Sequence, residues 1–152
     1  MDIPTKIFKS YDIRGIYPSE LNEENISFIA KAFYKFVQQT KQHSNQLTVI
    51  LGRDMRISSP SLHQKTVQAF LEVGAKIIDI GIVSTPTVYF ATNHLHADAG
   101  FQISASHNPK EYNGVKMVIS QDTGIIKIGK STGMDQIRDL TLELSQTPVE
   151  SA

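Results

Sequence analysis

Between Gly100 and Pro109 the chain reads Gly-Phe-Gln-Ile-Ser-Ala-Ser-His-Asn-Pro, which sets a hydroxyl, an imidazole and an amide on three consecutive residues. Ser106 offers an oxygen nucleophile, His107 a group that takes or gives a proton near neutral pH, and Asn108 an amide that can orient an oxygen. Lys116, a little further on, adds a second group able to handle protons or neutralise charge. Such a set suits the movement of an acyl or a phosphoryl group. The serine-hydrolase version is weak, because the nucleophile elbow Gly-x-Ser-x-Gly is missing and a triad histidine must reach the hydroxyl from elsewhere in the fold.

These residues need elements to position them, and apolar runs alternate along the chain with amphipathic ones, the pattern of an α/β protein built around a largely parallel sheet. Ile26, Ile29, Phe33, Phe36 and Val37 recur at helical spacing, with Asn22 placed as an N-cap and Glu23 and Glu24 in the positive first turn, so a helix is expected from Glu23 to Lys41. Leu47 to Leu51 reads as a short buried strand closed by Gly52. Ser59-Pro60 then supplies a cap and a first-turn proline for a second helix ending at Gly74. Lys76 to Ile82 reads as another buried strand, Thr85 to Asn93 as a third helix and Ala97 to Ile103 as a strand. Val115 to Ser120 is a further strand and Met134 to Ser145 a final helix.

On that frame Gly52 to Arg56, Ser84 to Pro86 and Ser104 to Pro109 each follow a strand. Ligands of parallel α/β sheets sit beyond the carboxyl ends of the strands, so the three loops mark one candidate site. Polar loops also occur at strand ends for capping alone, and loop composition does not choose between the two. The pair His94-x-His96 has a metal-ligand spacing, but it falls at a helix end with no third ligand, and solvent-exposed histidines are the expectation.

The 152 residues fit one domain, with residues 1–146 as its body and 147–152, rich in small and polar residues with one proline, as the start of a linker. Fifteen basic residues balance fifteen acidic ones, which recommends neither nucleic acid nor an anionic membrane as partner. The longest apolar stretches are strand-sized and broken by Asp79 and Gly81, and Met1-Asp2-Ile3-Pro4 lacks a signal-peptide pattern. With no cysteine there is no disulfide framework and no thiol nucleophile. The expectation is a soluble cytoplasmic protein.

Gly100 to Pro109, followed by Tyr112-Asn113-Gly114-Val115-Lys116, resembles the phosphoserine loop of the α-D-phosphohexomutases, the phosphomannomutase/phosphoglucomutase family. Phe8-Lys9-Ser10-Tyr11-Asp12-Ile13-Arg14-Gly15 looks like that family's N-terminal signature, and Gly52-Arg53-Asp54 with Arg56 and Ser58 looks like a further block. The matches fall in the order and spacing of the family's first domain and cover nearly the whole chain.

This resemblance implies a three-layer α/β/α sandwich whose mixed, mostly parallel sheet includes an antiparallel strand. It implies that Ser106 carries a phosphoryl group and passes it to a hexose monophosphate, giving a bound hexose 1,6-bisphosphate whose other phosphate returns to the serine. The net result is exchange between hexose 1-phosphate and hexose 6-phosphate, of mannose, glucose or both, with the 1,6-bisphosphate as activator. A phosphoserine brings roughly −1.5 to −2 charges, which Arg14, Lys116 and Mg²⁺ would offset. One phosphate oxygen on Ser106 would be a Mg²⁺ ligand, and the other ligands would come from outside this chain. The partners implied are hexose phosphates and the remaining domains of a longer enzyme, without which the domain is expected to be inactive, and an exposed interdomain face is expected to self-associate. The other reading is a non-catalytic module that binds phosphate or a partner.

Individual residues keep alternatives. Arg14 could simply pair with Asp12 or Asp54 on the surface, and Lys116 could be a solvated strand position, although Asn113-Gly114 reads as a turn that would return it towards Ser106. His107 could move a proton or donate to a backbone carbonyl to hold the loop. Tyr11 could face substrate, as Asn108 does by resemblance, or pack its ring on the core. Arg53 and Asp54 are expected to tie loops together rather than touch substrate.

Overall fold

The computed structural model describes residues 2–42 and 45–147. The elements are β1 (Ile13–Ile16), α1 (Glu23–Lys41), β2 (Thr48–Arg53), α2 (Ser59–Glu72), β3 (Lys76–Ile82), α3 (Thr85–His94), β4 (Ala99–Ile103), β5 (Tyr112–Gln121), β6 (Gly124–Lys127) and α4 (Met134–Gln146). They form a three-layer α/β/α sandwich. The sheet order is β1-β5-β4-β2-β3, and β6 also pairs with β5. β2, β3 and β4 are mutually parallel, whereas β5 runs against β4, β1 and β6. The antiparallel strand implied by the resemblance is therefore β5, and the other five described strands share one direction.

Alternation along the central strands builds the layers. In β2, Val49 and Leu51 enter the larger core with Phe33, Phe70 and Phe101, while Ile50 between them faces a smaller one with Val88, Ala91 and Ala97. Phe101 meets Phe70 edge-on at 5.2 Å and Phe33 at 5.8 Å. Helix α1 packs between α2 and α4 on the larger-core face, and α3 alone covers β2 and β4 on the other. Asn22 caps α1 as expected, its Oδ1 accepting from Asn25 N–H at 2.9 Å.

The differences from the sequence reading have local causes. β3 is the sheet's edge rather than a buried strand, and Ile82 at its end is exposed. Asn113-Gly114 is no turn: both lie inside β5, which begins at Tyr112 instead of Val115. Two four-residue strands, β1 and β6, escape the periodicity test because they are too short to show a period. Ser59 opens α2 without capping it; its hydroxyl donates to Asp54 instead, at 2.6 Å. Thr147 follows α4, and the rest of the expected linker, 148–152, lies outside the described residues.

Candidate active site

The carboxyl ends of β2, β3 and β4 lie side by side, and their loops surround a cleft of 670 Å³ lined by Asp54, Arg56, Thr85, Gln102, Ser106 and Asn108 among others. Strand β4 is buried throughout and runs straight into Ser104 and Ala105, so Ser106 is the first exposed position beyond it. It turns there. Ser106 has φ of 56°, in the left-handed region that non-glycine residues seldom adopt. Its N–H is satisfied by the hydroxyl of buried Ser104 at 3.0 Å, and Asn108 N–H reaches back to Ala105 O at 3.1 Å.

Arg56 holds this turn in place. Its Nη1 donates to the carbonyls of Pro109 (2.7 Å) and Tyr112 (3.0 Å), and its Nη2 to those of Ser106 (3.1 Å) and Asn108 (2.7 Å). Its Nε donates to Asp54 at 3.1 Å, and Asp54 in turn accepts from Arg56 N–H and Ser59 Oγ. One planar guanidinium thus spans four carbonyls of the serine loop from a loop on a different strand. The expected support by arginine and Asp54 is present, but the arginine is Arg56 rather than Arg53. His107 is exposed, and among the described residues the bonds that hold the loop's carbonyls come from Arg56.

The basic residues arrive from the opposite edge. Gly114 stands opposite Arg14 in the β1–β5 pairing, and continuing that register sets Lys116 against Asp12. Lys116 Nζ donates to Asp12 Oδ2 at 2.7 Å, and Arg14 Nε donates to the same oxygen at 2.8 Å. Asp12 is only 4% exposed. Arg14 extends further and donates through Nη1 to Asn108 Oδ1, two residues from Ser106. Gly114 permits this approach: a Cβ there would lie 2.8 Å from Ser104 O and would collide with Ile13 O as well. Asn113, fully buried, donates to Ser58 Oγ (2.8 Å) and Ser59 Oγ (3.0 Å), fastening β5 to the start of α2.

Comparison with known proteins matches residues 5–147 to the family model described as phosphoglucomutase/phosphomannomutase, alpha/beta/alpha domain I. The chain belongs to that family. A phosphomannomutase of Klebsiella pneumoniae is 37% identical over 145 residues, covering 95% of this chain and 86% of that protein. The Vibrio cholerae phosphomannomutase is 36% identical over 142 residues, 90% of this chain but 30% of the relative. A phosphoglucomutase/phosphomannomutase family protein from Burkholderia thailandensis, solved by X-ray crystallography, superposes with a TM-score of 0.79 at 27% identity, over 95% of this chain and 31% of that one. The chain therefore spans about a third of the length of some relatives it matches.

Within this domain I, Arg14 reaches Asn108, two residues from Ser106, and Lys116 joins Arg14 through Asp12. Tyr11 is 85% exposed, so the core-packing alternative for its ring does not hold. His94 and His96 are exposed; His94 stacks on Phe90 at 5.1 Å. The sequence reading undervalued Asp12 and Arg56. Asp12 sits inside the matched N-terminal segment between Tyr11 and Arg14, which was signal enough to flag it; Arg56 acts on carbonyls, which leave no trace in sequence.

Among the described residues no group of three or more His, Asp or Glu side chains could hold a metal ion. The carboxylates bonded to the arginines that reach the serine loop are already committed, Asp54 to Arg56 and Ser59, and Asp12 to Arg14 and Lys116. The described residues of this chain do not by themselves fit a Mg²⁺ site. No helix among them is long and apolar enough to cross a membrane.

Proposed function

We propose that this domain is the phosphoserine-carrying part of a phosphohexomutase that interconverts hexose 1-phosphate and hexose 6-phosphate. The observation that carries the reading is the exposed Ser106, held at a left-handed turn by Arg56 and approached through Asn108 by Arg14. A hydroxyl displayed on a turn fixed by a charged donor is preorganised for in-line transfer, where positioning and charge neutralisation do most of the work.

In the proposed step the Ser106 Oγ–P bond breaks as a bond forms between phosphorus and a free hydroxyl oxygen of the sugar phosphate. The sugar hydroxyl loses its proton, and the serine oxygen, leaving as an alkoxide, gains one. His107, exposed beside Ser106, moves that proton, while Arg14 and Lys116 offset the charge on the transferring oxygens. The hexose 1,6-bisphosphate so formed reorients and returns its other phosphate to Ser106 by the reverse step, and added bisphosphate would charge an empty serine. Tyr11 and Asn108 contact the sugar phosphate. Mg²⁺ would take one oxygen of the Ser106 phosphate and its other ligands from outside this chain. Sugar phosphates are too polar to cross a bilayer unaided, so the reading carries a cytoplasmic setting with it.

Intact mass before and after incubation with glucose 1,6-bisphosphate tests the reading. One phosphoryl increment on Ser106, absent in Ser106→Ala, is expected. Phosphate on another residue, or none on any even when the remaining domains of a relative are added, overturns it and leaves the alternative of a non-catalytic phosphate-binding module.

A further inference from the structure

A second cavity, of 760 Å³, opens where β1 and β6 come closest along the same edge of β5. β1 pairs with residues 112–115 of β5 and β6 with 118–121, so Lys116 stands in the gap between them. Lys116, Lys127 and Lys130 line this cavity with Ser10, Tyr11 and Tyr89, and no carboxylate is among its lining residues.

The charges do not cancel. Asp12 serves Arg14 and Lys116 together, one anion for two cations. Lys127 and Lys130 have no carboxylate within 4.0 Å among the described residues, and both are exposed. Lys127 Nζ lies 5.4 Å from the ring centre of Tyr89, an arrangement that holds its position without neutralising it. Burial, and secondarily the charge of Asp12, push the Tyr89 phenol up from its ordinary value, so it remains a hydrogen-bond donor.

The wall that carries these lysines is built rather than loose. Lys130 N–H donates to Ser10 O at 2.8 Å, and a Cβ on Gly129 would lie 2.7 Å from that same oxygen, so the close approach requires glycine. Thr132 Oγ1 accepts from Gly129 N–H at 2.6 Å and donates to Lys127 O at 2.7 Å, and Met134 N–H closes onto Gly129 O at 3.0 Å. A fixed concave surface with excess cationic charge, hydroxyls and no carboxylate in its lining recognises a phosphate group.

We propose that the cavity between the β5–β6 hairpin and α3 is a second phosphate-binding pocket, in which Lys127 and Lys130, with Lys116 at its inner end, hold the phosphate of a phosphate monoester. The pocket rests on Lys127 and Lys130 and not on transfer to Ser106, although Lys116 and Tyr11 are shared with the site proposed above. It takes free phosphate and the phosphate of a sugar ester by the same chemistry.

Backbone amide NMR of the 152-residue chain, titrated separately with inorganic phosphate, glucose 6-phosphate and glucose, tests this. Signals of Gly129, Lys130, Ser131 and Thr132 are expected to shift with both phosphates and not with glucose. A larger response to the ester than to free phosphate at these signals would identify the sugar phosphate as the better ligand, and equal responses would identify phosphate alone as the recognised group; either supports the pocket. The Lys127→Gln/Lys130→Gln pair should weaken the apparent affinity tenfold or more. Lys76→Gln, on an exposed lysine of β3, should leave it unchanged. Shifts at Gly129 to Thr132 that are absent, that persist undiminished in the double variant, or that weaken equally in Lys76→Gln would overturn the proposal. Ser106→Ala should retain them, so the fate of the phosphoserine and that of this pocket are read separately.

Discussion

Arg56 does at one residue what four separate contacts would otherwise have to do. Its guanidinium spreads donors over the carbonyls of Ser106, Asn108, Pro109 and Tyr112 while Nε stays on Asp54. A lysine carries equal charge on a compact ammonium and cannot span that set. Arg56→Lys should therefore destabilise the fold by about 2 kcal/mol, the cost of charge-assisted bonds to partly buried acceptors. The loop should respond more than the core. Amide exchange at Asn108, whose N–H closes the turn onto Ala105 O, should accelerate at least tenfold, and charging of Ser106 by glucose 1,6-bisphosphate should slow with it. Urea unfolding and hydrogen exchange measure both, and a variant with native stability and native exchange would remove Arg56 from its positioning role.

At the scale of elements, the site depends on strand pairing that the sequence showed only in part. Segment positions were legible: α1 was expected over Glu23–Lys41 and is found there, and β3 was expected over Lys76–Ile82 and is found there, though at the sheet's edge rather than buried. The serine loop was legible too, because it sits where a buried strand gives way to polar residues. The coupling between Lys116 and Arg14 was not, since it arises from the β1–β5 register, and a four-residue strand such as Ile13–Ile16 has no detectable period. Asn113-Gly114 carries a turn composition, yet tertiary contacts override it: Asn113 is consumed by Ser58 and Ser59, and Gly114 lets three backbone segments converge. Gly114→Ala should accordingly cost about 2–3 kcal/mol, since the obstructing atoms are backbone oxygens of Ile13 and Ser104 rather than yielding side-chain ends. Gly124 has open space around it, so strain from its φ of 125° is the sole penalty there and Gly124→Ala is the reference. Equal urea midpoints for the two variants would show that the convergence at Gly114 tolerates a methyl group.

The whole molecule presents its loop edge to solvent with large apolar residues around the proposed nucleophile. Met55 and Ile57 flank Arg56 and are 83% and 99% exposed, and Ile82 at the cleft is 61% exposed. Such a rim is costly to leave wet and suits contact with further protein. Relatives that match this chain over only 30% of their length supply a natural occupant in the rest of their length. Alone, the chain should self-associate reversibly through this edge, with a sedimentation coefficient that rises with concentration and falls back in Ile57→Ser. Mixed with the portion of the Vibrio cholerae phosphomannomutase outside the matched region, it should give up self-association for the hetero-complex and interconvert hexose 1- and 6-phosphates. Turnover should be at least tenfold below that of the intact relative at micromolar concentrations, because a covalent link supplies an effective concentration near millimolar that mixing does not. The activity should disappear with Ser106→Ala or with chelation of Mg²⁺. A complex that forms and binds hexose phosphate yet never isomerises it, with Ser106 charged, would rule out the mutase assignment while leaving the docking edge intact; a strict monomer that ignores the added portion would rule out the edge.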